Sequence, residues 1–119
     1  MKEENVILNK TCEFGLRVVK LYLHLRKNKV DVGLCSQLLN SGTSIGANVA
    51  EANQGQSRAD FISKLSIALK ECVETEYWIE LLRDGGYLTA SQAESLLVDC
   101  RELKAILTAS IKNGNSELQ

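Results

Sequence analysis

Residues 41–52 read Ser-Gly-Thr-Ser-Ile-Gly-Ala-Asn-Val-Ala-Glu-Ala, a stretch that is poor in large side chains. Gly42, Gly46 and Ala50 recur at every fourth position, so on a helix they form one narrow stripe of small residues. Each glycine inside a helix costs about 1 kcal/mol relative to alanine. Two glycines one turn apart therefore predict that another backbone approaches this segment closely.

A neighbouring stripe on the same segment is polar, which is unusual for a plain core. It contains Ser41, Ser44, Asn48 and Glu51. In the next helical stretch, Glu74 follows an inward-facing residue and Glu76 falls near the edge of the inner face. A buried carboxylate needs hydrogen-bond donors or a cation, and Asn48 and the serines can supply donors. We therefore expect a polar network that fixes helix register or subunit contacts, with a ligand-binding cleft as the alternative.

The composition favours one soluble helical domain that spans residues 1–119. Hydrophobic residues make up 45% of the chain, charged residues 24% and aromatic residues only 5%, and proline is absent. No apolar segment approaches the length of a membrane span, and the run Val6-Ile7-Leu8 is too short for a signal peptide. We expect a cytoplasmic protein with no membrane contact.

Apolar periodicity and turn residues predict helices over about 9–29, 35–54, 57–84 and 89–112. Ser57 is a good N-cap for the third helix, and Thr89 and Gln92 have the spacing of a capping box for the fourth. The inner face of the first helix is predicted from Phe14, Val18, Leu21 and Leu25, widened by Val19, Tyr22 and Leu23. Short loops between four amphipathic helices indicate an all-α, antiparallel up-down-up-down four-helix bundle.

The most basic surface of the sequence lies on the first helix. It is formed by Lys10, Arg17, Lys20 and Lys27, with His24 among them and Glu13 as an interruption. One interpretation is a ridge that binds nucleic-acid phosphates. The other is a solvated face, or a face paired with the acidic third helix. The net charge of -1 and the pI of about 5.8 argue against a domain built mainly to hold nucleic acid.

The residues that enzymes and metal sites require are sparse. The four cysteines are widely separated, no Cys-x-x-Cys pair exists, and His24 is the single histidine. Bundle di-metal sites use Glu-x-x-His pairs, but Leu21 stands three residues before His24. No serine or cysteine nucleophile can be paired with a histidine other than His24, and His24 has no obvious catalytic companion in the sequence. We therefore expect no enzymatic activity, no metal or other cofactor, and no small-molecule substrate.

Taken together, these motifs resemble the four-helix bundle family of proteins encoded in 23S rRNA intervening sequences, also labelled the S23 ribosomal protein family. The resemblance extends over nearly the whole chain and rests on residues 41–52, Ser57, Asp60-Phe61, Ile67-Ala68-Leu69-Lys70-Glu71 and Glu74-Thr75-Glu76-Tyr77-Trp78. It implies an antiparallel bundle that assembles into a ring-shaped homopentamer. Related proteins include the accessory variability protein of diversity-generating retroelements, which binds nucleic acid and works with a reverse transcriptase.

By position, Asn48 and Glu51 match the family's Asn-Ile-Ala-Glu segment, and Glu74 and Glu76 match its Glu-x-Glu segment. Ala52 departs from the glycine that often follows the first of these glutamates. We predict a non-enzymatic, oligomeric helical scaffold of unknown cellular role. The alternative is an accessory protein that binds RNA or DNA weakly through the basic surface of the first helix and acts with a partner such as a reverse transcriptase.

Overall fold

Residues 2–118 form four helices: α1 (Lys2–Lys27), α2 (Val32–Asn53), α3 (Arg58–Asp84) and α4 (Ala90–Leu118). The structure, a computed structural model, describes residues 2–118 and the side chains of residues 6–115. The all-α fold class predicted from the sequence is confirmed. The largest differences from the predicted boundaries are that α1 begins at Lys2 rather than near residue 9 and that α4 continues beyond residue 112.

The helices run up, down, up and down around one core, as predicted. Helix α2 packs against α1 and α3, and α3 packs against α4, while α4 approaches α1 less closely. Among the described residues, no Cα atom of α1 lies within 8 Å of one in α3, so these helices occupy opposite corners of a bundle that measures 49 × 21 × 21 Å. Within residues 2–118, no helix is long and apolar enough to cross a membrane.

Side-chain caps define several helix ends. The amide of Asp60 donates to Oγ of Ser57 at 3.0 Å, which confirms the predicted N-cap of α3. The capping box of α4 also forms, because Thr89 and Gln92 exchange hydrogen bonds of 2.9 and 3.0 Å. Asp31 caps α2 by accepting from the amide of Leu34, a cap that the sequence analysis missed. Helix α2 consequently begins at Val32, slightly earlier than predicted.

The core lies between the inner faces of all four helices, and most of the predicted inner face of α1 is confirmed. Phe14, Val18 and Leu25 are buried, whereas Leu21 is half-buried at the margin. Leu23, predicted to widen this face, is 61% exposed. Its position places it on the opposite side of α1, which therefore has two apolar faces.

Helix α4 continues through Gly114, where the sequence predicts a stop. Gly114 is buried, and a Cβ atom built on it would lie 2.9 Å from Cγ1 of Ile62 on α3. This glycine lets α4 lie close to the beginning of α3 instead of ending the helix. A glycine near a predicted helix end can therefore indicate close packing between two helices instead of the end of the helix.

Candidate functional site

The two glycines of the small-residue stripe lie where α2 packs against α1. A Cβ atom on the buried Gly42 would lie 2.8 Å from both methyl groups of Val18, and one on Gly46 would lie 3.3 Å from Oγ1 of Thr11. Ala50 leaves this contact and is exposed. A four-residue step overshoots the 3.6-residue turn by about 40°, so the stripe rotates away from α1 along the helix. The close approach therefore involves Gly42 and Gly46 but not Ala50.

Two buried hydroxyl groups join α2 to α3. Oγ of Ser41 and Oγ1 of Thr75 lie 3.0 Å apart, and both side chains are buried. Each hydroxyl also lies near a carbonyl oxygen of its own helix, that of Leu38 at 3.3 Å and that of Glu71 at 2.7 Å. These contacts satisfy the buried oxygens and fix the register of the two helices. Thr75 interrupts the apolar inner face of α3, and its local sequence does not identify Ser41 as its partner.

Asn48 and Glu51 of α2 make local or surface contacts. Nδ2 of Asn48 donates to the carbonyl oxygen of Ser44 at 2.8 Å, within the same helix. Oε1 of Glu51 lies 3.1 Å from Nζ of Lys64 on α3, and the Glu51 side chain is 58% exposed. Exposed ion pairs of this kind contribute about 0–1 kcal/mol to stability. Asn48 and Glu51 therefore stay apart from Glu74 and Glu76.

Glu76 lies between α3 and α4 rather than facing α2. Its side chain is only 12% exposed, and its carboxylate oxygens lie 2.6 Å from Nζ of Lys104 and 3.5 Å from Nε of Arg101. The contact with Glu76 raises the pKa of Lys104. Glu74 is exposed and accepts a hydrogen bond from Nε1 of Trp78 at 3.2 Å. The single network expected from the sequence is thus divided into separate contacts on different faces.

Half of the predicted basic surface of α1 is paired with acids. Nζ of Lys10 lies 2.5 Å from Oε1 of Glu102, and Nη1 of Arg17 lies 2.5 Å from Oδ2 of Asp99. The hydrogen bond to Glu102, with its charge, raises the pKa of Lys10. These acids belong to α4, not to the third helix proposed from the sequence. The paired residues border a groove of about 170 Å³ whose mixed charge does not select an anion.

Lys20 and Lys27 complete the basic surface, and both side chains are exposed. Among the described side chains, neither has an ion pair with an acid. The unpaired positive charge of the basic surface therefore lies at Lys20 and Lys27, whereas acids of α4 neutralise Lys10 and Arg17.

The geometry gives little support for catalysis or metal binding. No group of three or more potential metal ligands is present among the described residues. Sγ of Cys100 donates to the carbonyl oxygen of Cys72 at 3.4 Å. A hydrogen bond with Cys100, together with burial, raises the pKa of the Cys72 thiol, which keeps it protonated and unreactive. His24 contacts Asn28 one turn later in the chain.

An apolar face lies on the outside of α1, away from the core. Cys12, Leu16, Val19 and Leu23 follow one another at steps of four, three and four residues. Leu16 is 54% exposed, and Val19 is half-buried. We call these four residues the α1 outer face. In the sequence, these residues form a second apolar stripe at helical spacing. Two of them, Val19 and Leu23, were instead predicted to widen the inner face of α1.

A second outward face lies on α3, at the diagonal corner of the bundle. Its members are exposed apolar side chains on the side of the helix away from the core: Ile67, Val73, Tyr77 and Leu81. We call these residues the α3 outer face. The Tyr77 ring makes an edge-on contact with Trp78, with ring centroids 4.9 Å apart, which holds the exposed aromatic ring in place.

Comparison with known proteins identifies the family. The sequence model of the 23S rRNA-intervening sequence protein family matches residues 3–109. The chain belongs to this family. A solved structure from the same family, described as a protein with unknown function from the S23 ribosomal protein family of Bacteroides thetaiotaomicron, is 51% identical. The match covers 92% of this chain and 98% of that one, with a TM-score of 0.89. None of the curated proteins compared with the chain matches it.

Membership in the 23S rRNA-intervening sequence family agrees with the resemblance seen in the sequence. The family description and the related structure name no catalytic activity. Neither description says what these proteins bind.

Proposed function

We propose that the protein is a non-enzymatic helical scaffold that acts as a homo-oligomer. The observation that carries this proposal is the α1 outer face, a regular apolar stripe on a helix whose opposite side already fills the core. Single exposed leucines are ordinary, but a continuous exposed apolar patch is typical of an interaction surface. Burying apolar surface contributes about 25 cal/mol per Å², which favours association through this face.

The simplest partner for the α1 outer face is a second copy of the chain, because association then requires no other molecule. The resemblance to the family leads us to propose a homopentamer. Such an assembly would bury leucines that a single chain leaves in contact with water, and it would present identical surfaces at regular intervals. This repetition is the physical basis of the proposed scaffold role.

The nucleic-acid alternative has weaker support. It draws on the likeness to the accessory variability protein of retroelements and on the basic surface of α1. Lys10 and Arg17 are occupied by acids of α4, which leaves Lys20 and Lys27 for phosphates. Because affinity for nucleic acid grows with the number of phosphates neutralised, the two unpaired lysines that remain on this basic surface support only weak binding.

The test of self-association is to measure molar mass by light scattering during size-exclusion chromatography. We expect the wild-type protein to elute as an oligomer and the double variant Leu16→Asp/Leu23→Asp to elute as a folded monomer. Val98→Asp is the matched control, because Val98 is an exposed apolar residue of α4 outside both outer faces. A wild-type protein that remains monomeric at tens of micromolar would overturn the proposal.

A further inference from the structure

We infer that the subunits join head to tail, with the α1 outer face of one copy docked on the α3 outer face of the next. This inference rests on the proposed self-association and names the two surfaces that meet. It excludes the simpler arrangement in which two copies place the same face together.

The positions of the two faces support this arrangement. Helices α1 and α3 occupy opposite corners of the bundle, separated by α2 and α4, and each turns its outer face away from the core. One subunit therefore presents its two apolar faces in different directions. A contact between α1 of one copy and α3 of another leaves one face of each kind free, so the contact repeats until a ring closes or a filament grows.

Charge on the α1 side provides a second argument. Lys20 lies one turn from both Leu16 and Leu23, while Arg26 and Lys27 lie one turn beyond Leu23. All three cations are exposed beside the apolar residues. Glu13, one turn from Leu16, offsets one of these charges, but two α1 outer faces brought together would still place an excess of positive charge at their contact.

The α3 outer face has the complementary charge. Glu74 and Glu80 lie one turn from Tyr77 and outnumber Lys70, which lies one turn from Ile67 and Val73. Arg83, near Leu81, is paired with Asp84. Opposite charges around an apolar contact favour one partner surface over another, and like charges brought together are unfavourable. Tyr77, 55% exposed and held by Trp78, supplies an aromatic residue of the kind that often anchors an interface.

The decisive experiment is complementation between two variants that each lose one face. Leu16→Asp/Leu23→Asp removes the α1 outer face, and Tyr77→Asp/Leu81→Asp removes the α3 outer face. All four side chains are exposed, so both variants should keep the helical circular dichroism of the wild type. We expect each variant alone to have the 13.1 kDa mass of one chain and an equimolar mixture to form a dimer of twice that mass. An α3 variant that keeps the wild-type oligomer mass would overturn the inference, because α1 faces would then pair with each other.

Cross-linking the intact assembly provides an independent measurement. Cys12 is exposed in the single chain and belongs to the α1 outer face, whereas Cys35, Cys72 and Cys100 are buried, so a short bis-maleimide should reach Cys12 first whenever a contact between subunits opens. The wild type should give no cross-linked dimer. Ile67→Cys or Leu81→Cys, placed at the two ends of the α3 outer face, should give a ladder of three or more linked chains. A Cys12-to-Cys12 dimer in the wild type would overturn the head-to-tail arrangement but preserve self-association, whereas a monomeric wild type would overturn both.

Discussion

Replacing Gly42 by alanine should destabilise the bundle even though alanine is the better helix former. The added Cβ would lie 2.8 Å from Cγ1 and Cγ2 of Val18, whereas carbon atoms in favourable contact lie about 3.5–4.0 Å apart. Valine has one strongly preferred side-chain rotamer in a helix, so its methyl groups have little freedom to move aside. Helices α1 and α2 must therefore separate locally.

Two opposing effects determine how much Gly42→Ala should change the free energy of unfolding. Overpacking of a close contact typically costs about 1–3 kcal/mol. Replacing an interior glycine by alanine gains about 1 kcal/mol of helix propensity. We expect a net loss of about 1 kcal/mol, which corresponds to a fall in melting temperature of roughly 4 °C for a chain of this size.

Two other glycines provide matched controls for this substitution. A Cβ atom on Gly15, inside α1, would have no neighbour within 4 Å, so Gly15→Ala should raise the melting temperature. A Cβ atom on Gly46 would lie 3.3 Å from Oγ1 of Thr11, so Gly46→Ala should have a melting temperature between those of Gly42→Ala and Gly15→Ala. Thermal and urea unfolding must be followed at one protein concentration, because self-association makes stability concentration-dependent.

A double-mutant cycle with Val18→Ala then tests the cause. Removing the valine methyl groups should abolish the penalty of Gly42→Ala, so the two substitutions should not be additive. The packing argument would be refuted if Gly42→Ala stabilised the protein as much as Gly15→Ala. It would also be refuted if the effects of Gly42→Ala and Val18→Ala summed to within about 0.5 kcal/mol.

Three further outcomes are expected. Thr75→Val removes a buried hydroxyl that links two helices and should lower the free energy of unfolding by about 1 kcal/mol in urea titrations; an unchanged value would contradict that role. Glu76→Gln should destabilise the protein at neutral pH. The raised pKa of Lys104 makes the ion-pair contribution fully present below the ordinary lysine value of 10.5, and it is lost as pH rises through the raised pKa. The difference between wild type and Glu76→Gln should therefore shrink at high pH, and a constant difference would rule out the ion pair as its source. Fluorescence anisotropy should detect negligible binding of mixed-sequence RNA or duplex DNA near physiological salt; tight binding that Arg17→Glu/Lys20→Glu abolishes would favour the nucleic-acid alternative.

The fold was predictable because the information that specifies it is local. The spacing of Phe14, Val18 and Leu25 identifies the inner face of α1 from the 3.6-residue period alone. The caps at Ser57 and Thr89 act on amides within the next turn, so short sequence motifs were enough to place them. The close approach at Gly42 was also predictable, because a glycine in mid-helix is costly unless packing requires it.

The contacts between helices were less predictable, because they depend on rotations that the sequence does not specify. The partners of Glu76 come from α4, while the sequence placed its donors on α2. Thr75 and Ser41 meet only because α2 and α3 pack in one particular register. An apolar stripe that includes Leu16 and Leu23 also has the same sequence pattern whether it packs in the core or against another molecule. Their assignment required the three-dimensional packing.

The loose contact between α1 and α4 has a consequence for how the chain folds. The three closer helix pairs join elements that are consecutive in sequence, so most of the bundle forms through short loops at low entropic cost. Only the contact between the first and last helices joins distant parts of the chain, and ion pairs such as Lys10–Glu102 contribute to it. This junction should close after the folding transition state. Weakening it should speed unfolding while leaving the folding rate almost unchanged.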